Sequence, residues 1–397
     1  MQFTKRAWVE IDIDKIIENY NSIKSSANGR KIFAVVKADA YGHGAEMYVK
    51  TYESLGADGY CVSNVTEALA VRRAAKDKPV LILGYTPING IRTLVENKIS
   101  QAIISYDYAV EVSNELKRLN KSLSCHIKVD TGMSRVGLNA RNGGNIDKAA
   151  AEVKEISNMF GIKAEGIFTH YSVADSEEPK DIKFTESQYE RFCEVVEKSS
   201  VDFTYIHCCN SAGIGLQKND RGNTVRPGII LHGLMPAEGL PMNMKLSPTL
   251  NLKSVVGMIK TIKEGDSVSY GRMFTAKKDT KIATVPIGYA DGYPRFLSNK
   301  GRVLIGGEYA DILGKICMDQ MAVDVSNIKN VSVGDTVTLI GKDGENEITA
   351  SDIASLGNTI NYEIVCGLSQ RIPRIYIKGG KPIKCMTYIL EDNRYDS

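Results

Sequence analysis

Between residues 14 and 232 short apolar runs alternate with amphipathic stretches, and this alternation constrains the fold more than any other feature of the chain. Apolar runs of strand length fall at 32–37, 59–63, 79–83, 101–104, 124–129, 164–169, 203–208 and 225–231. Segments with helical periodicity lie between most of them, at 45–55, 65–76, 107–119, 143–160 and 181–199. Strands separated by helices imply a parallel sheet with crossover connections. Eight such units close into a (β/α)8 barrel, which presents its chemistry at the C-terminal ends of the strands.

Past residue 241 the texture changes. The stretch LPMNMKLSPTL reads as a boundary, and short β-branched runs broken by Gly and Asn turns follow it. The expected architecture is α/β: an N-terminal (β/α)8 TIM-like barrel over 1–241 and a mostly β C-terminal domain over 242–397. A chain of 397 residues is too long for one ordinary core, which agrees with two domains. Residues 7–13, AWVEIDI, alternate like a strand compatible with pairing to either domain, and Asp14 then caps a helix.

Charge excludes several classes of partner. The 50 basic and 47 acidic residues are interspersed, the net charge is +3, and no basic block stands out, so neither nucleic acid nor a membrane is an expected partner. The N-terminus carries no apolar leader and no run approaches the length of a membrane span, so a cytoplasmic protein is expected. The eight cysteines form no C-x-x-C pair and read as free thiols; the five histidines lack ligand spacing, so no metal is expected.

Polar residues gather where a barrel would use them. Strand one ends on Lys37 in VVKADAYGHG; strand five delivers Lys128, Asp130 and Arg135 in KVDTGMSRVG. Strand six delivers His170 and Asp175 in THYSVAD, strand seven His207, Asn210 and Ser211 in HCCNSAG, and strand eight Arg226 in VRPG. Any one of these reads equally well as a side chain reaching solvent from a strand end. Two lysines, two histidines and two arginines converging on one face are a poor way to build a core. A desolvated lysine is a Schiff-base nucleophile. Ser211 and Gly228 follow strands seven and eight, where such barrels often bind phosphate. An amine and a phosphate seat together suggest a phosphorylated aldehyde, pyridoxal 5′-phosphate, held as an imine on Lys37.

The motifs AVVKADAYGHG, KVDTGMSRVG, THYSVAD, HCCNSAG and VRPGI, followed by VSYG, PIGYADGYPR, GKICMDQ and TINYEIVC, run nearly the whole length. In their number and order the chain resembles the alanine racemase family, fold-type III pyridoxal phosphate enzymes. The resemblance implies that Lys37 carries the cofactor and works as a base on one face of the substrate. It implies that Tyr270 is the second base, on the opposite face, as inversion at carbon requires. An ordinary tyrosine, with a pKa of about 10, is a poor base at neutral pH, so its phenolate needs a cation nearby. His170 matches the histidine beside that tyrosine, Arg226 the residue facing the pyridine nitrogen, and His207 the partner that orients Arg226. Arg135 would bind the substrate carboxylate and the cofactor's phenolic oxygen, and Lys128 matches a lysine often carried as a carbamate. Tyr41, Ser211, Gly228, Ile229 and Tyr362 match the phosphate-contacting set. Met318 would offer its backbone N–H to the substrate carboxylate, with Asp319 in support.

Tyr362, Tyr289, Asp175 and Arg295 match a narrow entrance, whose tyrosines leave room for little beyond a methyl side chain. The resemblance therefore implies interconversion of L-alanine and D-alanine, a supply of D-alanine for peptidoglycan, and a head-to-tail homodimer in which Tyr270 and Met318 come from the partner. Two departures stand out: Pro227 removes a backbone N–H after Arg226, and Lys315 stands where an arginine is expected. Alternative readings are a serine or broad-specificity racemase, a related decarboxylase, a non-catalytic pyridoxal phosphate carrier, and a sugar-phosphate barrel without an imine.

Overall fold

The computed structural model describes residues 5–216 and 222–391. They form two compact units: one built from 16–40 and 44–247, the other from the residues up to 15, 41–43 and those from 248 onward.

The first unit is a closed barrel of eight strands: Lys31–Val35, Gly59–Val62, Val80–Ile82, Ser100–Ile103, Leu123–Asp130, Ile162–Phe168, Tyr205–His207 and Thr224–Val225. Every neighbouring pair is parallel, and the ring closes where Thr224 pairs with Lys31. These are the eight apolar runs of the sequence, buried inside and out as a parallel sheet requires. Closure continues past the last strand: Val35 N–H donates to the Pro227 carbonyl at 2.9 Å. Pro227 has no N–H to give, yet its carbonyl holds strand one to strand eight.

Helices Ala45–Leu55, Val65–Arg72, Tyr106–Leu119, Ile146–Ser157 and Pro179–Ser199 occupy the expected places, and a further short helix, Ile91–Glu96, fills the third connection. Side-chain caps fix several starts: Asn64, Ser105 and Asn145 each accept from the N–H three residues on. Among the described residues no helix is long and apolar enough to cross a membrane.

The second unit is built on one large, mostly antiparallel sheet. The N-terminal strand Ala7–Asp12 lies inside it, antiparallel to Leu250–Val255 and parallel to Arg374–Lys378. Its register alternates, with Val9 and Ile11 fully buried. Arg6, just before this strand, reaches the fully buried Asp291 and donates to the Pro286 carbonyl as well.

The helix after this strand, Ile13–Ser26, begins two residues earlier than a cap at Asp14 implies, and Asp14 is not its cap. Asp12 Oδ1 accepts from the N–H groups of Asp14 at 3.0 Å and Lys15 at 3.2 Å. Asp14 lies within the first turn and instead accepts from Gly379 N–H at 2.6 Å. In the barrel unit, Ser247 is pinned by both ends of the Asn19 amide, at 2.8 and 2.9 Å. Asp12→Ala is expected to lower stability by about 1 kcal/mol, the ordinary value of an N-cap, whereas Asp14→Ala should cost less. Denaturant unfolding of the two variants checks this.

Candidate active site

Lys37 follows strand one and is half-buried. The chain then makes a left-handed turn. Ala38, Asp39, Ala40 and Tyr41 all take φ between 50° and 55°, a conformation that costs non-glycine residues about 1–2 kcal/mol each. Hydrogen bonds hold it in place. Ala38 N–H donates to Glu67 Oε1 at 2.9 Å, while Ser63 N–H takes the other oxygen at 2.8 Å. Ala40 N–H returns to the Val36 carbonyl at 2.9 Å, and Asp39 Oδ1 caps Ala45 N–H at 2.7 Å. The motif VVKADAYGHG carries glycines suited to such a turn. The glycines are present, at Gly42 and Gly44, but the strain begins before them.

Arg226 lies at the end of strand eight and is buried. Its guanidinium donates to His207 Nδ1 at 2.7 Å, to the Thr169 carbonyl at 2.7 Å and to the Cys208 carbonyl at 3.2 Å. It approaches His170 Nδ1 at 3.4 Å. Burial lowers its pKa, and no carboxylate among the described residues touches it. Behind it, His207 Nε2 meets His126 Nδ1 at 2.8 Å.

Lys128 is buried on strand five, donates to the Val129 carbonyl at 2.7 Å and sits over the Phe168 ring. Burial pulls its pKa down to about 7; Asp130 opposes this, and Arg226 and Arg135 add to it. His170 is pushed well below its ordinary value, first by burial and then by the positive charges of Arg226, Lys128, Arg135 and Lys37. Strand ends one, five, six and eight thus share one electrostatic environment. Asp130 is committed to its own loop, accepting from Gly132 and Ser134 N–H groups at 3.1 and 2.9 Å. Arg135 and Asp175 are exposed.

Ser211 opens a short helix, and its hydroxyl accepts from Gly228 N–H at 2.9 Å, which ties strand seven's loop to strand eight's. Asn210 takes Gly213 N–H at 3.0 Å. Gly228 precedes the turn Ile229–His232, whose first N–H groups have no acceptor within the turn.

The remaining expected residues lie in the β unit. Tyr41 falls there, its ring 6.1 Å from that of Tyr362. Tyr270 and Met318 line an open cleft of about 320 Å³ with Ser269, Cys317, Asp319 and Gln320. Tyr270 is 71% exposed and Met318 52%. Ser269 Oγ donates to the Lys315 carbonyl at 2.6 Å, which fixes the turn presenting Tyr270 against the segment carrying Met318. The Met318 carbonyl accepts from Ala290 N–H at 3.0 Å, while its own N–H has no acceptor among the described residues. Asp319 is held by Arg371 at 2.9 Å. Tyr289 and Arg295 are exposed near this segment in sequence, and Tyr289 N–H donates to the Cys317 carbonyl at 3.1 Å.

Three contributors escaped the sequence reading: Glu67, Thr169 and His126. Glu67 acts through a turn it does not belong to, Thr169 through its carbonyl, and His126 lies in an apolar run. Only the motif spacing around Thr169 carried a signal.

Three histidines of the barrel unit, 126, 170 and 207, share a sign. Burial depresses each below the ordinary imidazole value, so the folded state refuses protons that the unfolded chain takes up near pH 6.5. Stability from this source is therefore present above about pH 6.5 and lost as pH falls. The melting temperature should drop between pH 7 and about pH 5.5; a flat profile would contradict the assignment.

The chain matches two family models: "Alanine racemase, N-terminal domain" over residues 11–236 and "Alanine racemase, C-terminal domain" over 249–376. It is 38% identical over 384 residues to alanine racemase 1 of Clostridium acetobutylicum, covering 96% of this chain and 98% of that one. Alanine racemase of Methanococcus maripaludis is 40% identical over 373 residues, covering 93% and 98%. Among solved structures, alanine racemase from Bacillus anthracis with bound L-Ala-P superposes with a TM-score of 0.89 at 32% identity, covering 98% of this chain and all of that one. This chain belongs to the alanine racemase family.

Proposed function

We propose that this member of the alanine racemase family interconverts L-alanine and D-alanine with pyridoxal 5′-phosphate, using Lys37 and Tyr270 on opposite faces of the substrate. The observation that carries the reading is the cluster of Lys37, Lys128, His170 and Arg226 at the barrel mouth, dominated by positive charge. That donor set fits a phosphorylated pyridine aldehyde. Lys37 offers an amine, the Ser211–Gly228–Ile229 corner offers a hydroxyl and helix-opening N–H groups, and Arg226 meets only neutral acceptors among the described residues. Tyr41 and Tyr362 would complete the phosphate seat. When bound, the cofactor supplies an electron sink that acidifies the substrate's Cα–H.

Lys37 would take or return the Cα proton on one face, and Tyr270 on the other. Arg226 keeps its protons, so it donates a hydrogen bond to a ring nitrogen without protonating it. Because Arg226 faces His170 Nδ1, the imidazole proton resides on Nε2, leaving a neutral donor for a phenolate with a cation behind it. Arg135 and the Met318 N–H would receive the substrate carboxylate. Tyr289, Asp175, Arg295 and Asp319 would border the approach.

The exposure of Tyr270 and Met318 supports their working in a partner's site, within a head-to-tail homodimer. We further assign the enzyme to cytoplasmic D-alanine supply for peptidoglycan.

Lys37→Ala should abolish turnover, and Tyr270→Phe should lose mainly Cα exchange from L-alanine in deuterated water. Equal residual exchange from both enantiomers in Tyr270→Phe would rule out two bases. Dissociating and remixing these two inactive variants tests sharing: half the dimers become hybrids with one intact site, which restores about a quarter of parental activity. No recovery would place both groups on one chain.

Lys128, with its pKa near 7, presents much neutral amine at neutral pH, the form that adds carbon dioxide with loss of a proton. A carbamate there would place a negative charge for Arg135. We expect a carbamate carbon resonance with 13C-bicarbonate, absent in Lys128→Ala.

A further inference from the structure

Inside the barrel, the contacts of Arg226 continue away from the mouth. An arginine has no acceptor, so at 2.7 Å it must donate to His207 Nδ1. His207 therefore carries its proton on Nε2, which at 2.8 Å donates to His126 Nδ1. His126 in turn carries its proton on Nε2, and that atom lies 3.4 Å from Glu165 Oε1. Protonating either imidazole on Nδ1 would set two donors face to face, so the chain of contacts requires both to be neutral. Burial pushes both the same way.

The far end is anchored and partly wet. Ser100 Oγ donates to Glu165 Oε1 at 2.8 Å, and Ser100 opens its strand, so the carboxylate lies toward the N-terminal ends of the strands. Its side chain is 26% exposed, whereas His126 and His207 are fully buried. Burial alone would raise the Glu165 carboxyl, but the His126 imidazole 3.4 Å away and the hydroxyls of Ser100 and Ser124 outweigh it and hold the group below its ordinary value. The backbone makes room for the line. Gly166 pairs with His126 across neighbouring strands, and a Cβ there would run into the imidazole. The ladder shifts register just before His126, leaving Glu165 without a partner on strand five. Phe168 stacks on His207 with centroids 4.9 Å apart, and Tyr205 on His126 at 5.5 Å, so neither ring is free to turn.

We propose that Glu165 is the remote counter-ion of Arg226, acting through His126 and His207, and is thereby a positioning residue for the reaction at the barrel mouth. The proposal rests on Arg226 facing the cofactor's ring nitrogen. Among the described residues only neutral groups touch the buried guanidinium, and a buried charge in that position is costly. A carboxylate at the end of two aligned imidazoles strengthens each hydrogen bond between them by polarisation and makes His207 Nδ1 a better acceptor. Arg226 is then held in one orientation with its charge in place.

The test uses cofactor-loaded protein labelled with 15N at histidine, with His126→Gln and His207→Gln to assign the signals. In the parent, both imidazoles should appear as single Nε2–H tautomers across neutral pH. Glu165→Gln should give His126 a mixture of tautomers and lower kcat about tenfold with KM for alanine unchanged, the size seen for outer partners of reactive groups. Unchanged tautomers in that variant overturn the relay, and shifted tautomers with unchanged kcat overturn the positioning role. A parent without racemase activity whose single tautomers are nevertheless lost in Glu165→Gln would overturn the proposed reaction and leave the counter-ion standing. If Glu165→Gln does not fold, Glu165→Asp should lose the single tautomer through shortened reach, while Ser100→Ala, which keeps the carboxylate, should retain it; the reverse order overturns the proposal.

Discussion

The burial of the Arg226 guanidinium is the constraint to which the rest of the barrel mouth answers. A cation taken out of water must be satisfied by hydrogen bonds or it destabilises the fold. Here the acceptors come from the ends of neighbouring strands, through the Thr169 and Cys208 carbonyls and His207 Nδ1. Its own backbone N–H is tied to the Cys209 carbonyl at 3.0 Å. One side chain thereby fastens strands six, seven and eight. It also sets the charge of its surroundings, contributing to the lowered pKa of Lys128, His170 and His207.

A second constraint sits at strand one. Four consecutive non-glycine residues in the left-handed region would not persist without external hydrogen bonds. Glu67, from the helix Val65–Arg72 beyond strand two, and the Asp39 cap supply them. The strain is placed directly after Lys37, so the lysine leaves its strand at an angle fixed by the turn and not by solvent. Immediately beyond, a Cβ at Gly42 would collide with the Val365 carbonyl within the β unit, so the chain turns there on a residue that must be glycine.

The sequence made the strands legible because most are buried on both faces and all are too short to be mistaken for a helix. It made Lys37, Lys128, His170, His207 and Arg226 legible because polar residues closing apolar runs stand out. Handedness in the turn was not legible, since Ala38 and Ala40 carry no local preference for positive φ and a single Asp39 between them is a weak signal. Asp12 and Asp14 are chemically equal as caps; strand pairing through Asp12 decides between them, and that pairing joins residues more than three hundred positions apart. Glu165 stayed hidden for a related reason. It is one acidic residue in the run KAEGIF, and only the register shift opposite Cys125 and His126 aims it along the imidazole line.

The same electrostatics links the barrel's odd protonation states to the role proposed for Tyr270. Burial first, and then the positive charge of Arg226, Lys128, Arg135 and Lys37, disfavours a proton on His170 and keeps it neutral. In the proposed reaction the Tyr270 phenol works beside His170. A neutral His170 is then the better neighbour, because it donates a hydrogen bond without adding a charge that would hold the phenolate too tightly to act as a base. Arg226 thus reconciles two demands that conflict on a single side chain. It supplies the positive charge, and His170 supplies the contact.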